Sequence, residues 1–136
     1  MEKPIVLRPG EGEHVGKNVV KAARPELSLI EFEVEPGGSV QPHLHRRHSD
    51  SFYVLEGELE VRTGDDVVHA TSGMFVLSPP GVVHSFRNVS DSPAKLLNLH
   101  TPDGFVEYRR ELFALHEQGL EPDDAFYERH DVFDPD

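Results

Sequence analysis

From residue 4 to residue 100 the chain is a succession of short β-type runs broken by Gly, Pro, Asn and Asp, and none of them holds a helical period. That spacing restricts the region to an all-β sandwich or barrel of about ten short strands. In residues 27–35, Ile30, Phe32 and Val34 alternate with Glu31, Glu33 and Glu35, which gives an extended strand one apolar face and one wet face. Residues 52–55 and 59–62 flank Glu56-Gly57-Glu58, and Gly64-Asp65-Asp66 then leads into residues 67–70. Ser78-Pro79-Pro80-Gly81 turns residues 74–77 into residues 82–86, so the segment reads as a meander of hairpins. A last strand is expected from Ala94 to His100.

After His100 the period lengthens. Thr101 suits a helix cap and Pro102 the first helical position, and Phe105, Tyr108, Leu112 and Leu115 recur at helical spacing until Gly119. A second short helix is expected from Pro122 to His130, with Asp123 and Asp124 at its start and Arg129 and His130 at its end, as the helix dipole favours. Residues Val132 to Asp136 are expected to fray. With 136 residues in all, the chain reads as one domain, a β-barrel over residues 1–100 with a helical extension over residues 101–136 packed on it.

Charge and cysteine content narrow the function. Thirteen Lys and Arg face 25 Asp and Glu, a net charge of −12, and no basic run is longer than Arg46-Arg47 or Arg109-Arg110. Nucleic acid and anionic membranes are therefore poor partners, and a small molecule is the expected one. Seven acids and one base in residues 121–136 suggest a solvated acidic tail. The absence of cysteine excludes disulfides, a thiolate nucleophile and iron–sulfur clusters, and leaves His and carboxylate as metal ligands. No apolar run reaches signal-peptide or membrane-spanning length, so the cytoplasm is the expected location.

Nine histidines is a high count for this length, and His43, His45 and His48 cluster beside Asp50. On an extended strand His43 and His45 point the same way and can grip one ion. Asp50 opens the next strand on the face shared with Phe52 and Val54, which adds a carboxylate, and His84 follows the Pro79-Pro80-Gly81 turn as a third imidazole. His48 falls in the intervening turn, where a solvated role is expected. His100, in line with Asn98, is expected to be a hydrogen-bonded strand-end residue or an acid or base near the mouth, and His14, His69, His116 and His130 are expected at the surface. Phe32, Phe52, Val54, Phe75 or Met74, Leu77 and Phe86 are expected to line or underlie the pocket. Asn88-Val89-Ser90 fits a glycosylation pattern, but a structural role for Asn88 is the better reading.

Gly37-x5-His43-x-His45-x4-Asp50-x6-Gly57 resembles the first motif of the cupins, which carries Glu at the acid position. Gly73-x5-Pro79-x-Gly81-x2-His84-x3-Asn88 resembles their second motif at every fixed position. The resemblance implies a double-stranded β-helix, the cupin jelly-roll barrel, with a metal inside its mouth. It places the ligands on His43, His45, His84 and, at the acid position, Asp50. Asp50 is one methylene shorter than Glu, which leaves two arrangements open: direct ligation, or a three-histidine site in which Asp50 holds a bound water. One divalent Fe, Mn, Ni, Cu or Zn ion suits such ligands, and affinity order does not select among them.

The resemblance further implies a metal-dependent dioxygenase, similar to the small quercetinase-like cupins, acting on a partly apolar substrate with one or two oxygens for the metal. Asp50 is then a ligand or the base that takes the substrate proton. The alternatives are a non-catalytic metal-dependent binding or sensor module, and a sugar isomerase or epimerase, against which Arg62 and Arg87 are expected to point outward. A homodimer is also implied, with Tyr53 and Leu55 on the strand face opposite the ligands as candidate contacts.

Overall fold

The computed structural model describes residues 3–102 and 105–135. It contains β1 (Glu13–Val15), β2 (Asn18–Arg24), β3 (Leu27–Val34), β4 (Ser39–His43), β5 (Ser49–Glu56), β6 (Glu58–Thr63), β7 (Asp66–Thr71), β8 (Phe75–Ser78), β9 (His84–Arg87) and β10 (Ala94–Thr101), followed by α1 (Phe105–Glu117) and α2 (Asp124–Arg129). A six-stranded sheet in the order β1-β2-β3-β10-β5-β8 faces a four-stranded sheet in the order β4-β9-β6-β7. All the pairings are antiparallel, and the fold is the double-stranded β-helix that the motifs imply.

The inward faces of the strands form a gradient. Val54 on β5 lies opposite Leu96 on β10, Phe52 opposite Asn98, and Asp50 opposite His100. One end of the barrel is therefore a dry core of Val34, Phe52, Val54, Leu59, Val61, Ala70, Ala94 and Leu96, with Phe32 and Phe86 packed against it. The other end of the same strands turns polar. Apolar burial at one end stabilises the scaffold, and the strand register carries polar side chains to the mouth.

Gly57 makes the tight β5–β6 connection possible. Its φ is +80°, and a Cβ there would stand 2.8 Å from the Pro93 carbonyl oxygen. Only glycine meets both conditions without strain.

Several expectations are corrected. Phe75, Met74 and Leu77 are exposed rather than part of the pocket: Tyr53 is paired with Phe75 in the β5–β8 register, so Phe75 and Leu77 share Tyr53's outward face, and Ser78 is the buried residue. Thr101 ends β10 instead of capping a helix, and α1 begins at Phe105, with residues 103–104 outside the described part. Residues 132–135 do not fray, because Leu44 and Phe133 exchange backbone hydrogen bonds at 3.0 Å in both directions. Asp136 lies outside the described residues.

The helices cover the barrel where the strands leave it open. Phe105 and Val106 of α1 are buried against Val20 and Ile30. Asp123 caps α2 by accepting the Phe126 N–H at 2.9 Å, and Glu111 of α1 bonds to Arg129 and His130 at 2.8 and 2.7 Å. His130 is thus a largely buried partner of Glu111 and not a surface residue, since α2 folds back over α1.

Candidate metal centre

Three segments supply the polar end. β4 delivers His43 and the turn after it His45, β5 delivers Asp50, and β9 opens on His84, which is paired directly with His43. The Gly81 N–H donates to the His45 carbonyl at 2.7 Å, tying the turn before β9 to the turn after β4. Donor atoms of His43, His45, Asp50 and His84 all lie within 4.8 Å of one another. The shorter Asp side chain still reaches the group, with Oδ2 2.9 Å from His84 Nε2 and 3.3 Å from His45 Nε2.

The proton positions follow from what each ring nitrogen faces. Nδ1 of His43 donates to the Gln41 carbonyl at 2.8 Å, Nδ1 of His45 to the Asp131 carbonyl at 2.8 Å, and Nδ1 of His84 to the Val82 carbonyl at 3.0 Å. Each ring therefore keeps its Nε2 lone pair for the site, the tautomer a metal ligand needs. Two such lone pairs facing one carboxylate oxygen repel it unless a cation lies among them, either a proton or a metal ion. The donor set, three imidazoles and one carboxylate, fits a divalent transition metal.

The titration of the cluster expresses the same demand. Burial and the neighbouring His84 push His43 down to about 4, so it stays neutral and able to ligate. Burial lowers His84, but the Asp50 carboxylate more than offsets this and raises it. Burial would raise Asp50, yet His100, His45 and His84 hold it well below the usual carboxylate range, so it is ionised.

Behind Asp50 runs a buried hydrogen-bonded chain. Asn98 donates to Asp50 Oδ1 at 2.8 Å and to the Ser51 carbonyl at 3.1 Å, which fixes its amide and turns its oxygen toward His100 Nε2 at 3.0 Å. His100 Nδ1 meets His48 Nε2 at 2.8 Å, and His48 Nδ1 meets Asp131 Oδ2 at 2.7 Å. Burial lowers both rings, while Asp131 draws His48 and Asp50 draws His100 the other way. His48 is therefore buried and hydrogen-bonded through both ring nitrogens rather than solvated in its turn, and His100 is fully buried.

Asp131 is the residue that sequence reasoning missed. Its carboxylate accepts the Arg46 and Arg47 backbone N–H groups, both at 2.9 Å, as well as facing His48, and its own carbonyl orients His45. It sits at φ +62°, in the left-handed region, one residue past His130, the C-cap of α2. The acidic end of the chain is thus partly built into the site instead of solvated.

A cavity of about 550 Å³ opens over the cluster. His43, His45 and Asp50 form its floor, Phe32, Phe86 and Leu96 one wall, and Phe105, Tyr108 and Arg109 of α1 another. Arg62 and Arg87 point outward as expected. Asn88 is buried and donates to the Val34 and Ser92 carbonyls at 3.0 and 2.8 Å, which makes it a structural residue.

Comparison with known proteins places these observations. A family model described as "Cupin domain" matches residues 30–100. The chain is 36% identical over 107 residues to germin-like protein subfamily 2 member 2 of Arabidopsis thaliana, covering 72% of this chain and 49% of that protein. It is 26% identical over 117 residues to quercetin 2,3-dioxygenase of Bacillus subtilis (strain 168), covering 80% of this chain and 34% of that enzyme. The chain thus spans half or less of the length of these relatives. A solved structure from Thermus thermophilus superposes with a TM-score of 0.60 at 30% identity, covering 63% of this chain and 82% of that one. KdgF from a Halomonas species superposes at 0.63 with 19% identity over 75% of this chain and 94% of that one, a likeness of fold.

Proposed function

Since the chain belongs to the cupin family, we propose that it is a metal-dependent, dioxygenase-like oxidoreductase acting on a small, partly apolar, oxygen-bearing substrate. The observation that carries this reading is the inward convergence of three Nε2 lone pairs and one ionised carboxylate beneath a cavity with an apolar wall of Phe32, Phe86 and Leu96. Sequence similarity to a quercetin dioxygenase supports it. His43, His45, His84 and Asp50 would hold one divalent ion. When bound, the ion would supply Lewis acidity and, where it is a redox-active metal rather than Zn, a one-electron partner for O₂.

The chain's own residues do the rest. Phe32, Phe86 and Leu96 exclude water and pack against the apolar part of the substrate. Where Asp50 is not itself a ligand, its carboxylate, held in position by Asn98, is the base that takes the hydroxyl proton of an enol or catechol. The test is oxygen uptake by the metal-loaded chain over a panel of phenols and diketones, beside anaerobic binding of the same compounds. Oxygen-dependent turnover is expected. Anaerobic binding with no oxygen uptake across the panel would overturn the oxidoreductase reading in favour of a binding module.

A further inference from the structure

Arg109 lies outside the matched family region, on the second turn of α1, and its side chain lines the cavity. Its guanidinium stacks over the Phe32 ring, 4.3 Å from the centroid, and stands 5.9 Å from the centroid of Phe105. The Phe105 ring in turn lies 6.5 Å from that of His45. A single aromatic ring thus separates this cation from a candidate metal ligand, along the same cavity wall.

Arg109 is half-buried, and among the described residues its side chain has no hydrogen bond and no ion pair. Its neighbours on α1 are different: Arg110 is paired with Glu13, and Glu111 with Arg129 and His130. Acids do line the cavity, but Asp50 is already held by Asn98 and the histidines, and Asp124, Glu128 and Asp134 form no pair with Arg109. Withdrawing a cation from water without a partner is costly. Stacking on Phe32 occupies a face of the planar guanidinium and leaves its edge N–H groups for an in-plane acceptor, the geometry that matches a carboxylate. Tyr108, whose phenol burial and Tyr127 push up to about 12, stays protonated beside it.

We infer that Arg109 is a specificity-determining residue that binds a carboxylate arm of the substrate while the substrate's other oxygens meet the metal centre. The ligand class is a small organic monocarboxylate with a hydroxyl or carbonyl pair at the far end of an apolar spacer. Asp124, Glu128 and Asp134 around the same cavity repel a dianionic phosphate about twice as strongly as a monoanion, which favours the monocarboxylate. This inference rests on the metal-centred reading above and extends it from a partly apolar substrate to an anionic one.

The test uses the full chain loaded with Zn(II), which binds oxygen ligands without turnover. Anaerobic calorimetric titration compares homoprotocatechuate, a catechol bearing an acetate arm, with its neutral methyl ester, for the wild type, Arg109→Lys and Arg109→Met. The wild type is expected to bind the acid about 10-fold or more tightly than the ester, as a charge-assisted hydrogen bond requires. Arg109→Met should lose that preference while keeping the affinity for the ester, and Arg109→Lys should retain part of it. Unchanged ester affinity reports an intact fold and metal centre. Equal binding of acid and ester by the wild type, or an undiminished preference in Arg109→Met, would overturn the inference alone. Binding of neither probe by the metal-loaded chain would overturn the metal-centred reading with it.

Discussion

Asp131 couples the segment after α2 to the candidate metal centre through one side chain and one carbonyl. It accepts two backbone N–H groups, faces His48 and fixes the ring of His45, all from a left-handed backbone position. Asp131→Ala is expected to weaken metal affinity about 10- to 100-fold, the usual effect of removing a partner that orients a ligand. Competition with a chromophoric chelator checks it. His43 gives a pH prediction. Its pKa falls from 6.5 to about 4 on folding, so on acidification the unfolded chain takes up a proton first. The metal-free protein should therefore lose stability through His43 as pH falls from about 6.5 to 4, with no further loss from that group below. Urea midpoints across this window should fall less steeply for His43→Asn than for the wild type. At this scale the candidate ligands were legible because they are local: His43 and His45 lie two residues apart at the end of β4 and in the turn after it, Asp50 is the second residue of β5, and His84 opens β9 after an identifiable turn. Asp131 and Arg109 were not, because they meet the site from more than 60 residues beyond His45 and carry no spacing signal.

The strands and helices differ in how directly the sequence announces them. β3 alternates clearly and was readable, whereas the short run Phe75 to Leu77 is apolar throughout, so its pattern did not say which face turns inward. The pairing with β5 decided it. α1 was readable from its period, but its first residue does more than cover the barrel. Phe105 stacks on the fully buried His100, with ring centroids 3.5 Å apart, and joins the helix to the polar chain behind Asp50. Phe105→Ala is expected to destabilise the protein by about 3 kcal/mol, in the range for emptying a buried phenylalanine site, with Phe105→Leu costing less. Chemical denaturation of the three proteins measures the difference.

In the whole molecule, the family's barrel supplies the candidate ligands and residues beyond it supply most of what surrounds them. Residues 30–100 carry His43, His45, Asp50 and His84, while α1, α2 and the final segment provide the second cavity wall and the support for His45 and His48. Tyr53, Phe75 and Leu77 leave an exposed apolar strip on the outer face of β5 and β8. We propose that two copies associate through that strip, for which the expected outcome is a dimer mass by light scattering, reduced to one chain by Leu77→Glu. Among the described residues no helix is long and apolar enough to cross a membrane. The central claim concerns the ion at the mouth, and metal content per chain by inductively coupled plasma mass spectrometry tests it most directly, with a His43→Ala/His84→Ala double variant measured beside the wild type. The account predicts about one divalent transition metal per wild-type chain and none in the folded variant. Near-zero metal in both after reconstitution, or equal metal in both, would contradict it.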